Sequence, residues 1–210
     1  CMSTDRNSRL LQQGWSLYRA DQPESVLPAA VPLDVHQILM AAGEIPDPYL
    51  RNNESAVQWV HQHDWVLETE FAITEADLAD RVTLRLAFVD THASVAINDQ
   101  PVGELANFFR RFDLDVRPAL TVGTNRLTIT LHDNAALAAK RAEQQPFPVP
   151  WAEMNNQIPH MNLVRKTQCD AGWDWGLCLL STGVYVAPEL ILHPGRLLDT
   201  VRVDQQHEAD

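Results

Sequence analysis

The sequence is short of positive charge and of long apolar runs, and each shortage excludes a class of protein. Lys and Arg together number 16 against 28 Asp and Glu, so the formal net charge is −12. This charge argues against nucleic acid and anionic membranes as partners and favours neutral or basic ones. No apolar run approaches the ~18–20 residues of a transmembrane helix. No charged-then-apolar leader opens the chain, so we expect a protein of the cytoplasm.

Cysteine is scarce too, with three residues in a chain of 210. Cys1 precedes Met2 and is expected to be vector-derived, which leaves Cys169 and Cys178 on either side of a tryptophan-rich stretch. A zinc site needs closer spacing and further ligands, so no metal is expected. A disulfide between them is compatible with the sequence, but two free thiols suit a reducing compartment better. No phosphate-cradling glycine loop is present, and we expect no cofactor.

What the chain does have is a series of alternating apolar patterns typical of short strands. From Trp65 to Phe71, and again from Val82 to Phe88, every second residue is apolar or small, which predicts strands with one buried face. Asp34 is expected to cap a short helix over 35–42, and the Ala-rich run 134–143 predicts another. The fold class is therefore expected to be all-β, a jelly-roll β-sandwich with a few short helices. Further strands are predicted at 15–18, 95–97, 102–105, 112–116, 126–132, 177–180 and 184–192.

The chemically most specific stretch is Trp173-Asp174-Trp175, which lies between Gly172 and Gly176. In an extended strand the two indoles share one face and the carboxylate points to the other. Aromatic rings cover the C–H faces of sugars, and a carboxylate accepts hydrogen bonds from their hydroxyls. The alternative is structural: both tryptophans belong to the core and Asp174 caps a turn.

This stretch and several upstream motifs resemble the amino-terminal sugar-binding domain of the β-mannosidases of glycoside hydrolase family 2. The resemblance covers about residues 15–195 and implies a galactose-binding-domain-like sandwich. The matching segments, in chain order, are Val31-Pro32, Val35-His36, Gly43-Glu44-Ile45-Pro46-Asp47-Pro48-Tyr49, Asn53-Glu54, Trp59, Trp65, Asn107-Phe108-Phe109-Arg110, Arg165-Lys166, Trp173-Asp174-Trp175-Gly176 and Gly183-Val184-Tyr185.

The resemblance implies that Asp174 hydrogen-bonds the sugar and that Trp173 forms an apolar wall beside it. Trp175, on the opposite face of an extended strand from Asp174, is expected to belong to the core. Gly176 is followed by Leu177, where many members have proline. Asn107 is a second candidate for sugar contact, although an Asx-turn explains it equally well.

Two polar pairs in the matched motifs have structural interpretations. Arg165 and Lys166 could face the substrate, but we expect an arginine to pair with Asp170 or a neighbouring carboxylate. Asn53-Glu54 superficially echoes the acid/base motif of the family. It precedes a strand of the β domain, so we expect Glu54 to hold a loop.

The resemblance also implies a domain organisation. Residues 1–14 are expected to be a disordered or vector-derived start, 15–197 the jelly-roll domain, and 198–210 the start of a truncated immunoglobulin-like domain. Retaining glycosidases use two carboxylates, which the family supplies from a (β/α)₈ barrel. The barrel is absent here, so this chain is expected to be inactive while contributing to the pocket for a β-mannoside and packing on the barrel. The alternatives are a stand-alone carbohydrate-binding module and a purely structural interface domain.

Overall fold

The computed structural model describes residues 7–78, 81–154, 156–193 and 201–207. Its architecture is antiparallel β-structure with a few short helices, as the alternating sequence pattern predicts. In chain order the strands are β1 (Asn7–Leu10), β2 (Trp15–Arg19), β3 (Gln22–Ala29), β4 (Leu33–Asp34), β5 (Trp65–Ile73), β6 (Arg81–Ala87), β7 (Val89–Asp90), β8 (His92–Ile97), β9 (Gln100–Ala106), β10 (Arg111–Asp115), β11 (Gly123–Leu131), β12 (Gly183–Val184) and β13 (Glu189–His193).

Two large sheets form the body of the domain, and a small third sheet lies beside them. The six-stranded sheet has the order β3-β2-β5-β11-β8-β9, and the four-stranded sheet has the order β1-β13-β6-β10. Strands β4, β12 and β7 make the third sheet. Leu67 and Ile129 of the six-stranded sheet belong to the same buried apolar cluster as Leu84 and Leu190 of the four-stranded sheet. One core between two sheets is the arrangement of a β-sandwich.

Local chemistry accounts for the helices. Helix α1 (Val35–Ala41) begins after Asp34, whose carboxylate accepts a hydrogen bond from the backbone N–H of His36. The chain leaves this helix through Gly43, whose φ of +78° is easily reached without a side chain. Helix α2 (Asn53–Ala56) is a single turn, and α3 (Asn134–Glu143) begins after the capping carboxylate of Asp133.

Several expectations about local structure are wrong. Residues 7–10, expected to lie in a disordered start, form β1 and pair with β13. Segment 22–29, for which no strand was predicted, forms β3 at the edge of its sheet, where the missing N–H groups of Pro23 and Pro28 are tolerated. The expected strand 177–180 is irregular, and the expected strand 184–192 is divided into β12 and β13.

The expected start of a following domain at 198–210 lies partly outside the described residues. Residues 198–200 and 208–210 are among those not described. Residues 201–207 have no regular secondary structure, and Val201 and Val203 are exposed.

Candidate functional site

The candidate sugar-contacting residues lie in a tight turn rather than in a strand. The N–H of Gly176 donates to the carbonyl of Trp173 at 3.0 Å, which closes a four-residue turn. Trp175 occupies the left-handed region with φ of 55°, and Gly172 before the turn has φ of 102°. The backbone is therefore not extended here. The prediction that the two indoles lie on one face and Asp174 on the other assumed an extended strand, and it does not apply to this turn.

All three central side chains of this turn are exposed. Trp173 is 53% exposed, Trp175 is fully exposed, and Asp174 is exposed between them. The expectation that Trp175 belongs to the core is therefore wrong, and so is the structural alternative in which both indoles are buried. The turn presents two indoles and a carboxylate, the side-chain types that bind the C–H faces and hydroxyls of a sugar.

The base of the segment that carries the turn is closed by Asp170. The backbone carbonyl of Asp170 accepts a hydrogen bond from the N–H of Leu180 at 2.9 Å. Its carboxylate accepts another from the hydroxyl of Ser181 at 2.7 Å. These contacts join the residue before the turn to the residues after it, so the turn stands on a closed loop.

Lys166 is the cation of this base, in place of the expected arginine. Its ammonium lies 2.5 Å from the carboxylate of Asp170 and 3.2 Å from that of Asp90. Lys166 is 2% exposed, whereas Arg165 is exposed. Burial raises the pKa of Asp90, against the opposing charge of Lys166. The expectation that Asp170 takes part in a structural ion pair is confirmed. The expectation that its partner is an arginine is wrong.

A second contact holds the segment just after the turn. The carboxylate of Glu54 accepts the N–H of Cys178 at 2.8 Å, and the side-chain amide of Gln58 donates to the carbonyl of Cys178 at 2.7 Å. The expectation that Glu54 holds a loop is confirmed. Burial, followed by the charge of Glu54, raises the pKa of the Cys178 thiol to about 11. Both Cys178 and Cys169 are free thiols, and Cys169 is exposed.

Asn107 begins a neighbouring turn. Its side-chain oxygen accepts the N–H of Phe109 at 2.9 Å, which is the Asx-turn of the alternative interpretation. The N–H of Phe108 donates to the carbonyl of Arg165 at 2.9 Å, and Asn107 and Arg165 form an isolated parallel bridge. Phe109 and Arg165 line a pocket of about 470 Å³ with residues 162, 164 and 166–168. Asn107 is thus brought to the segment that leads into the Trp173–Gly176 turn.

A second pocket, of about 270 Å³, lies where Asp34, His36 and Tyr185 meet Leu179 and Ser181. The hydroxyl of Tyr185 donates to Asp34 at 2.8 Å. Burial alone would raise the pKa of Asp34, but its contacts with His36 and Tyr185 outweigh burial, and the pKa is lowered. Burial and the neighbouring Asp34 raise the pKa of Tyr185 far above its usual value.

Sequence reasoning missed the roles of three residues around the turn. Lys166 stood in the matched motifs, but its pairing was assigned to arginine. Ser181 and Gln58 carried no local signal, because one polar residue in a loop or a short helix is common. Gln58 lies 120 positions from the Cys178 carbonyl that it contacts, so no periodicity could connect them.

The residues that the structure describes contain neither a metal-binding cluster nor a membrane-spanning helix. No group of three or more His, Cys, Asp or Glu side chains there is arranged to hold a metal ion. Over the same residues no helix combines the length and apolar character needed to cross a membrane.

The sandwich, with its aromatic turn at one loop, is a galactose-binding-like domain. The chain belongs to the family described as the glycosyl hydrolase 2 galactose-binding domain-like family, whose sequence profile matches residues 15–186. This confirms the family resemblance carried by the motifs.

The individual relatives that the chain resembles are named as β-mannosidases. The chain is 34% identical over 191 residues to beta-mannosidase B of Thermothelomyces thermophilus, covering 90% of this chain and 22% of that protein. It is 29% identical to the beta-mannosidase of Capra hircus, covering 87% and 21%. The crystal structure of beta-D-mannosidase from Dictyoglomus thermophilum superposes with a TM-score of 0.83 at 29% identity, over 91% of this chain and 23% of that one. The chain thus spans less than a quarter of the length of these relatives.

Proposed function

We propose that this domain supplies part of the substrate pocket of a β-mannosidase-like retaining glycoside hydrolase. In this proposal Asp174 accepts hydrogen bonds from the hydroxyls of the non-reacting part of a β-mannoside, and Trp173 packs against its C–H face. Contacts of this kind hold the sugar for attack and are expressed in the transition state. Asn107 lies near the same segment and is proposed as a weaker second contact.

The observation that carries the proposal is the exposure of the Trp173–Gly176 turn. A large aromatic side chain that is 53% exposed, beside another that is fully exposed, is costly for a domain that meets only water. A role in the core of this domain would bury the indoles, and they are not buried there. The relatives with the same domain are named as β-mannosidases, which supplies the class of sugar.

The domain acts within a longer protein in this proposal. Retaining glycosidases need an acid/base and a nucleophilic carboxylate about 5–5.5 Å apart. We assign both to a catalytic barrel outside this chain, preceded by an immunoglobulin-like domain that begins near residue 198. The domain alone is then catalytically silent, and part of its exposed apolar surface packs on the barrel.

The decisive experiment is steady-state kinetics of the full-length protein on an aryl β-mannoside, with Asp174→Ala against the wild type. We expect kcat/KM to fall about 100-fold, equivalent to roughly 2.7 kcal/mol of transition-state binding. Asp115→Ala is the control, because Asp115 is likewise an exposed aspartate but lies at the end of β10, where it accepts the backbone N–H of Arg117 at 3.2 Å. It should leave kcat/KM unchanged.

Three results would contradict the proposal. Unchanged kinetics and unchanged stability of Asp174→Ala would reduce the domain to a scaffold. A full-length protein inert on aryl β-mannosides but active on β-galactosides or β-glucuronides would show that the sugar is assigned wrongly. Binding of mannose by the isolated domain, abolished by Trp173→Ala and without any catalytic effect of Asp174→Ala, would favour a stand-alone binding module.

A further inference from the structure

We propose that Glu54 is a positioning residue, which sets the place of Asp174 by holding the peptide of Cys178. The proposal rests on the proposed function of Asp174 and adds to it the part of the fold that fixes the turn. The carboxylate of Glu54 lies on helix α2, 124 positions away in sequence from Cys178.

The turn depends on contacts outside its own backbone. Between the end of α3 at Glu143 and the start of β12 at Gly183, the described residues contain only two short 3₁₀ turns, 161–163 and 168–171, and one isolated bridge at Arg165. Without a strand ladder, the segment is held by scattered backbone hydrogen bonds, by its own small apolar cluster and by side-chain contacts at particular points. These side-chain contacts help to place the turn.

Two such contacts bracket the turn. Before it, the ion pair between Lys166 and Asp170 and the bond from Ser181 to Asp170 close the base. After it, Glu54 and Gln58 hold both polar groups of the Cys178 backbone, the N–H and the carbonyl. Cys178 follows Gly176 by two residues, so its placement limits where the end of the turn can lie.

Glu54 is able to fix the loop because its own element is attached to the core. Helix α2 leads directly into Val57 and Val60, both fully buried in the main apolar cluster. The side chain of Asn53 donates to the carbonyl of Asp47 at 2.9 Å, which ties the same helix to the loop before it. The side-chain amide of Gln58 also donates to the backbone carbonyl of Glu54 at 3.0 Å, so Gln58 is tied to the backbone of the residue whose carboxylate holds Cys178.

Loss of this contact should move Asp174 without unfolding the domain. The Cys178 N–H then loses its acceptor, and the end of the turn is held with one contact fewer, by Gln58 and the buried Cys178 side chain. Catalysis is sensitive to displacements of about 1 Å in groups that position the substrate, which can lower rates by up to about 100-fold. The effect of Glu54 should be smaller than that of Asp174, because the base of the loop stays closed.

The test is a double-mutant cycle in the full-length protein, with kcat/KM on an aryl β-mannoside as the readout. Glu54→Ala should lower kcat/KM about tenfold in the wild type and should have no further effect in the Asp174→Ala background. Glu54→Gln is the matched variant, because an amide oxygen can still accept the Cys178 N–H. It should retain kcat/KM within about threefold.

The outcomes separate this inference from the proposed function. Suppose that Asp174→Ala lowers kcat/KM. The positioning role is then wrong if Glu54→Ala has no effect, or if Glu54→Ala lowers kcat/KM equally in the wild type and in the Asp174→Ala background. If Asp174→Ala has no effect, the proposed function itself fails. Should Glu54→Ala fail to fold, Gln58→Ala removes the other half of the same contact, and a loss that is absent in the Asp174→Ala background supports the inference.

Discussion

The sandwich and the segment from residue 144 to 182 are built in different ways. In the sandwich, order comes from continuous ladders: β5 pairs residue by residue with β11 from Trp65 opposite Leu131 to Ile73 opposite Gly123. In the segment, scattered backbone hydrogen bonds and a small apolar cluster are supplemented by single side-chain contacts, such as Lys166 on Asp170 and Glu54 on Cys178. A ladder shares its stability over many equivalent bonds, whereas each of these side-chain contacts is made once.

The two regions also differ in their apolar cores. The main cluster joins both large sheets and contains fully buried residues such as Leu67 and Leu84. The segment has its own small cluster, in which Met161 and Ala171 pack with Ala138 of α3. Loops of this kind carry binding residues on a rigid scaffold. The candidate site is therefore placed by a small apolar cluster and a few single contacts rather than by a sheet.

The largest effect is expected at the buried ion pair under the turn. Lys166→Met leaves Asp90 and Asp170 without their shared cation in a buried site, and we expect the free energy of unfolding to fall by about 4 kcal/mol. Urea unfolding of the chain measures this. The exposed pair of Arg202 with Asp204 is the control, and Arg202→Met should change stability by less than about 0.5 kcal/mol. Equal small effects of both substitutions would contradict the importance of the buried pair.

A somewhat smaller loss is expected in the ladder region. Leu67 is fully buried on β5, and Leu67→Ala should lower the free energy of unfolding by about 3 kcal/mol through lost burial and the cavity left behind. The contacts that hold residues 170–178 do not involve Leu67. In Leu67→Ala, amide exchange in residues 170–178 should therefore rise only through global unfolding. Selective opening of that segment in this variant would mean that the two regions are not held independently.

The smallest effect is expected at the first strand and depends on pH. The guanidinium of Arg9 on β1 lies 2.5 Å from Asp77 and, with the backbone N–H of Thr74, lowers the pKa of that carboxyl to about 2. A lowered pKa stabilises the fold above about pH 4 and loses this contribution as pH falls towards 2. Because Arg9 is 41% exposed, we expect only about 1 kcal/mol.

The measurement is urea unfolding of the wild type and Asp77→Asn between pH 2 and pH 6. The difference between the two proteins should be present at pH 6 and vanish near pH 2. A difference that is constant over this range would show that the carboxylate charge plays no part in attaching β1.

Local patterns predicted those elements whose causes are local. Asp34 caps α1, and the Ala-rich run becomes α3 with the predicted bounds, because capping and helix propensity act within a few residues. Alternation located β5, β6, β8 and β11. It failed at 177–180, where apolar residues occur in a loop that packs on α3 and α2 instead of pairing in a sheet.

The sequence by itself determined that the chain is an antiparallel sandwich of a sugar-hydrolase family, since apolar alternation and the Trp-Asp-Trp-Gly motifs are readable in order. Only the tertiary structure decided that Trp175 is exposed and that Lys166, rather than an arginine, holds Asp170. It alone brought Glu54 to Cys178. The physical reason is that distant parts of the chain decide these contacts: Glu54 meets Cys178 across 124 positions. Lys166 also lies beside the carboxylate of Asp90, which comes from strand β7.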